Sequence, residues 1–154
     1  MNKKRKFLIF GTGISLMLML AVIFKLLSVI FTLSDQYTEK DWLKYQLLTS
    51  DIIKNAPHIS NNYLIKVWAR DGSSPQVEAI EFYGVEDQKT LENYLASVGY
   101  SPAIDHLRFP MWISPDGEYT AYVQQHNNKT TLSILDVRSL PPVNTTPFQD
   151  NQDE

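Results

Sequence analysis

The stretch FLIFGTGISLMLMLAVIFKLLSVIFTL, from Phe7 to Leu33, constrains this chain more than any other. It holds 27 residues and a single charge, Lys25. A helix needs about 20 apolar residues to cross a bilayer core of roughly 30 Å. A run of this length spans with residues to spare, so one membrane-spanning anchor is expected over 7–33. Lys25 lies near its C-terminal end, where a long side chain can snorkel to the interface. The competing reading of Lys25 is an ionic contact with a partner helix.

The flanks set the expected orientation. Lys3, Lys4, Arg5 and Lys6 precede the run, and Asp35, Glu39, Lys40 and Asp41 follow it. Basic flanks stay in the cytoplasm. Residues 1–6 are therefore expected to be cytoplasmic and everything beyond 33 extracytoplasmic. A cleaved signal peptide fits less well. Its apolar core is usually 7–15 residues and ends in an A-x-A-like site, which is missing here. Gly11 and Ser15 form a small-xxx-small pair of the kind that lets helices approach closely. A homodimer through that pair stands against the blander reading of ordinary membrane residues.

Beyond the anchor, residues 34–138 are enough for one small domain and no more. They carry nine Lys/Arg against fourteen Asp/Glu. An acidic domain argues against nucleic acid, whose phosphates need a basic face. With no cysteine in the chain, disulfides, thiol catalysis and thiolate metal sites are all excluded. A small secreted eukaryotic domain is often disulfide-rich, so the absence favours a bacterial envelope. The expected location is the cell inner membrane, single-pass, with a periplasmic domain.

Periodicity gives an α+β expectation: a mostly antiparallel sheet of about five strands with two helices on one face. Residues 38–54 read as a helix continuing outward from the anchor, with Trp42, Tyr45, Thr49, Ile52 and Ile53 on one side. Leu43 and Leu47 lie roughly opposite. Tyr37, Trp42 and Tyr45 sit where an interfacial aromatic belt would sit, and equally where core residues would. Strands are expected at 63–70, 76–85, 107–113, 118–125 and 130–137. The strand at 107–113 contains Pro110, which places it at an edge or a bulge. Residues 88–98 read as a one-sided helix through Leu91, Tyr94, Leu95 and Val98, capped by Asp87 and ended by Gly99. Residues 139–154, with three prolines and an acidic end, are expected to be a disordered tail.

Two stretches carry resemblances. ISPDGEYTAYVQQHNNKTTLSILDV (113–137) is similar to one hairpin of the TolB-type propeller repeat. It occurs once in a domain too small for several blades, so the resemblance implies a hairpin and not a propeller. LENYLASVGYSPAI resembles the helix-to-strand step of peptidoglycan-binding SPOR domains. That family alternates two βαβ halves, whereas two strands precede the helix here and no further helix follows it.

No catalytic motif is present. His58, His106 and His126 form no H-x-x-x-H or H-E-x-x-H pair. Asp105-His106 lacks a nucleophile context such as G-x-S-x-G. Glu78, Glu81, Glu86 and Asp87 would do acid–base work only if gathered in a shielded pocket. No enzymatic activity, cofactor or metal is expected.

The expected role is that of a membrane-anchored domain that binds another envelope protein. It would be an accessory subunit of a regulator or secretion system, or an immunity-type protein. The alternative is a small-ligand or cell-wall-binding sensor, with a hydrolase as a third reading. The residues singled out for partner binding are Leu43, Leu47, Trp68 and Trp112. An exposed Trp68 or Trp112 would mark a binding surface.

Overall fold

The computed structural model describes residues 3–30, 34–72, 74–138 and 146–147. The chain divides into two units, 1–32 and 33–154. The first holds α1, Lys3–Ile30. From Gly13 to Ser28 every side chain is exposed, including large apolar ones such as Met17 and Phe24. Among the described residues no helix is long and apolar enough to cross a membrane. An anchor over 7–33 is thus a proposal rather than a feature of the fold.

The second unit is α+β, built on one fully antiparallel sheet. Its strands are β1 (Ser34–Tyr37), β2 (Tyr63–Trp68), β3 (Val77–Tyr83), β4 (Ser101–Ile104), β5 (Pro110–Ile113), β6 (Tyr119–Gln125), β7 (Lys129–Asp136) and a two-residue β8 (Thr146–Pro147). The spatial order is β1-β2-β3-β7-β6-β5-β4-β8. From β3 the chain crosses β7, β6 and β5 by way of α4 (Gln88–Ser97) and returns as a meander.

Alternation along the strands builds the core. Tyr37, Ile65, Ile80, Leu132 and Val123 form one row across five strands. Tyr63, Phe82 and Thr130 form a second on the same face. Leu91 and Leu95 of α4 and Ile53 of α3 (Asp51–Lys54) close over these rows. Phe82, Ile80, Leu91, Leu95 and Leu132 are wholly buried.

The five expected strands all form, with ends shifted by one to three residues, and β1, β4 and β8 are additional. The strand expected from 107 begins only at Pro110, because residues 105–109 are held as a loop, described below. Proline at the first position donates no ladder hydrogen bond and loses none. The SPOR-like step does run from helix to strand at β4. Of the tail expected at 139–154, only Thr146–Pro147 is described, paired antiparallel with Ala103–Ile104. The rest lies outside the described residues.

The helix expected over 38–54 is corrected most. Strand β1 precedes it, and it breaks into α2 (Trp42–Leu48) and α3. Thr49 and Ser50 are extended, with ψ of 125° and 157°. Both are taken by the sheet: Thr49 Oγ1 and Tyr37 Oη hydrogen bond at 3.0 Å, and Ser50 N donates to Glu78. Tyr37 belongs to the core and Tyr45 packs against it, while Trp42 is 68% exposed. Two of the three belt candidates are therefore accounted for by packing.

Helix α4 follows its sequence signals. The Asp87 carboxylate accepts from Thr90 N at 3.0 Å and Thr90 Oγ1 at 2.6 Å. At the other end Gly99 has φ of +91°, and a Cβ there would lie 3.1 Å from Pro115 Cγ. Gly99→Ala is expected to cost about 1–2 kcal/mol from the left-handed backbone alone. Urea unfolding checks this, and an unchanged midpoint would remove glycine's role in ending α4.

Candidate functional site

The four residues singled out for partner binding fall in three places. Leu43 is half-buried and Leu47 is 47% exposed, both on α2. Trp68 is 41% exposed at the end of β2. Trp112 is half-buried and packs against the core. Trp112 pairs with Ala121, which shares the core face with Ile134 and Glu78, whereas Trp68 stands in the row of Val77, Leu135 and Thr120 on the opposite face. The two tryptophans therefore cannot belong to one surface, and only Trp68 is available to a partner as it stands.

The loop from Asp105 to Phe109 presents the larger apolar display, and the sequence reading missed it. Leu107 is 64% and Phe109 54% exposed. Asp105, 9% exposed, accepts from Leu107 N at 2.9 Å and Phe109 N at 2.8 Å. Its other oxygen takes a longer bond from Tyr122 Oη at 3.4 Å. Asp105 N also donates to Phe109 O, and Arg108 N to Asp105 O. Arg108 adopts a φ of +65°, which its neighbours' hydrogen bonds enforce. A buried carboxylate thus fixes the backbone while two large apolar side chains point to solvent. The loop lies at the end of the sheet opposite Ser34, where the chain joins β1. A signal was present: an aspartate two residues before the first captured amide is an Asx turn.

The arrangement that the third reading, a hydrolase, would need does not assemble among the described residues. His106 is exposed and pairs with no carboxylate among the described residues, while Asp105 is spent on its own loop. His58 stacks beside Tyr63 and lies 3.4 Å from Glu39. No group of three metal-ligating side chains occurs among the described residues.

Of the carboxylates considered together, Glu78 and Glu81 separate onto the two faces of the sheet, while Glu86 is exposed beyond β3 and Asp87 caps α4. Glu81 is on the face away from the helices. It pairs with Lys66 at 2.9 Å and Lys129 at 3.1 Å and accepts from Tyr83 Oη at 2.6 Å. These partners overcome its desolvation and hold its pKa down at about 2.

Glu78 is on the core face and lines a cavity of about 400 Å³. The cavity lies between α3, the Ser114–Gly117 turn and the neighbouring ends of β3, β6 and β7. Ile52 and Ile134 supply apolar walls, and Tyr100 and Tyr119 aromatic ones. Glu78 is 6% exposed, and both its oxygens accept from Ser50 N, at 2.9 and 3.1 Å. Burial pushes its pKa up, against the Ser50 hydroxyl and amide and the Lys54 charge, which favour the carboxylate. At the rim Arg138 clasps Asp136, Nη2 to Oδ2 at 2.6 Å and Nε to Oδ1 at 2.9 Å. Its guanidinium lies 5.3 Å from the Tyr119 ring centre. Ser50 Oγ is buried near Glu78 but makes no hydrogen bond of good geometry.

A buried acid with a raised folded-state pKa binds its proton more tightly folded than unfolded. Its contribution is most favourable below the ordinary value of 4.5 and is lost as pH rises through the folded value. Glu78→Gln is expected to remove that loss. The melting temperature of the variant should gain on the parent steadily as pH rises from 4.5, the two being closest at the acid end. Glu81 and the other low-pKa carboxylates act below that range and do not mask the slope. Parallel melting curves across the range would contradict the assignment.

No protein-family model, curated protein or solved structure matches the chain.

Proposed function

We propose that this is a single-pass protein of the cell inner membrane whose periplasmic domain works by binding another protein, without catalysis. The apolar run over 7–33 and its basic flank support the anchor, with residues 1–6 cytoplasmic. The outward apolar side chains of α1 agree with a lipid-facing helix. The observation that carries the binding role is the locked loop bearing Leu107 and Phe109. Large apolar side chains on a preorganised backbone lose little entropy on docking, and such residues make the centres of interfaces. Trp68 and Leu47 offer smaller secondary contacts.

Photocrosslinkers at Leu107, Phe109, Leu47 and Trp68 of the full chain in its native membranes test this. One recurrent protein partner from Leu107 and Phe109, lost on Leu107→Ser/Phe109→Ser, is the expected result. Crosslinks to lipid alone, or none, would end the protein-binding reading. Alkaline phosphatase fused after residue 138 should be active, and an inactive fusion would reverse the orientation.

The alternative, a small-ligand sensor, is favoured by the cavity at Glu78. Its 400 Å³ falls in the range of small-molecule sites.

A further inference from the structure

We propose that the cavity between α3 and the ends of β3, β6 and β7 binds an organic ammonium on an alkyl stem, with Glu78 as its counter-ion. This goes beyond partner docking through the Leu107–Phe109 loop and does not depend on it.

Charge comes first. The lining carries three carboxylates, Glu78, Asp116 and Asp136, against one cation, Arg138. Arg138 is already committed to Asp136 through two hydrogen bonds. Asp116 spends Oδ1 on Ser114 Oγ and Glu118 N, and among the described residues nothing donates to its Oδ2. Among the described residues Glu78 accepts well-formed hydrogen bonds from the Ser50 amide alone, with the Ser50 hydroxyl and the Lys54 charge nearby. Arg70 also pairs with Asp136, and Lys54 acts on Glu78 from outside the lining, but the lining itself stays net acidic and would repel an anion.

Shape and polarity agree. Ile52 and Ile134 suit a methylene stem, and the Tyr100 and Tyr119 rings suit a cation, whose attraction to an aromatic face grows as water is excluded. The chain supplies its own precedent at the rim, where Tyr119 and Asp136 together hold the Arg138 guanidinium. An ammonium brings three donors. Glu78 has unused lone pairs, Tyr100 Oη faces no hydrogen-bond partner among the described residues, and Ser50 Oγ is a buried oxygen lacking one. That last atom sits beside Glu78 and favours its carboxylate, so a donor arriving there meets both groups together. Buried Glu78 gains most from such a ligand, because an ammonium stabilises the charged form that burial opposes.

The chemistry is shared by free alkyl amines and by the lysine side chain of a protein. The test uses full-length protein in detergent micelles with ¹³C-labelled isoleucine methyls, read at Ile52 and Ile134. Butylammonium, butanol and hexanoate are titrated in parallel. Saturable shifts at both methyls with butylammonium alone are expected. So small a ligand should bind weakly, on the order of millimolar. Glu78→Gln should weaken binding about tenfold or more. Asp116→Asn, on the exposed turn, should weaken it less and guards against a folding defect in the first variant. Equal shifts with butanol, undiminished binding by both variants, or no shift at all would overturn the proposal. With the site supported, cadaverine against Nα-acetyl-lysine amide separates the sources: tighter binding of the first assigns a free amine, and of the second a protein lysine.

Discussion

Replacing Phe82 by alanine is expected to cost about 3–5 kcal/mol. The side chain is wholly buried on β3, in the row shared with Tyr63 and Thr130. Its ring centre lies 6.1 Å from that of Tyr63 and 6.2 Å from that of His58, so a truncation empties one end of an aromatic cluster. The rows on either side are held by ladder hydrogen bonds and cannot collapse into the gap. For a domain of this size each kcal/mol is worth about 4–8 °C, so a fall of about 12 °C or more in melting temperature is expected. Small domains have about 5–15 kcal/mol in total, and this one substitution would take a large share. Phe82→Leu, which keeps most of the volume, should recover more than half. Circular dichroism melts of the three proteins decide the matter. A loss under about 1 kcal/mol for alanine would mean the cavity refills or that the core lies elsewhere.

Asp105→Ala is expected to be nearly as costly, at about 2–3 kcal/mol, for a different reason. It strands the amides of Leu107 and Phe109, which point inward at a carboxylate and not at water. The left-handed Arg108 then keeps only the backbone bonds between Arg108 N and Asp105 O and between Asp105 N and Phe109 O, and should relax more readily. Stability and display of the loop should fall together. Hydrogen exchange at the Leu107 and Phe109 amides should speed up by at least tenfold, while the core amides of β3 and β7 slow down or speed up only with global stability. Asp105→Asn keeps the carbonyl acceptor and should restore most of the protection. If alanine left the exchange at Leu107 and Phe109 unchanged, the loop would owe its shape to Pro110 and the strands, and its rigidity would not depend on the buried carboxylate. Crosslinking from Leu107 should weaken in step with the loss of protection.

The two substitutions differ in how visible their targets were. Phe82 lies in QVEAIEFYGV, whose β-branched and aromatic residues mark a strand on their own. Leu107 and Phe109 lie in LRFPMWI, which also reads as apolar and strand-like. Hydrophobicity cannot tell a strand from a loop whose amides are captured by a nearby carboxylate. Trp68 was legible as a candidate because a tryptophan left exposed on the strand expected over 63–70 would mark a binding surface. Its separation from Trp112 was legible only in part: their faces follow from register, and register across β7, β6 and β5 is not local. The cavity at Glu78 was not legible. Its walls come from residues 50–52, 76–78, 100, 114–119 and 134–138, which adjoin only once the strand order is known.

The sequence by itself determined the apolar run and its basic flank, the α+β class, five strands, helix α4 with its Asp87 cap and Gly99 end, and the absence of thiol chemistry. These are local properties: periodicity of 2 or 3.6, the backbone freedom of glycine, the reach of one side chain to the next turn. Only the tertiary structure decided the strand order, the break of α2 from α3 at Thr49 and Ser50, the opposite faces of Glu78 and Glu81, and the inward turn of Asp105. Thr49, Ser50 and Glu81 took partners far along the chain, whereas Asp105 took amides two and four residues on and turned inward with them. Local preference gave way because an unsatisfied buried group costs more than one interrupted helical turn.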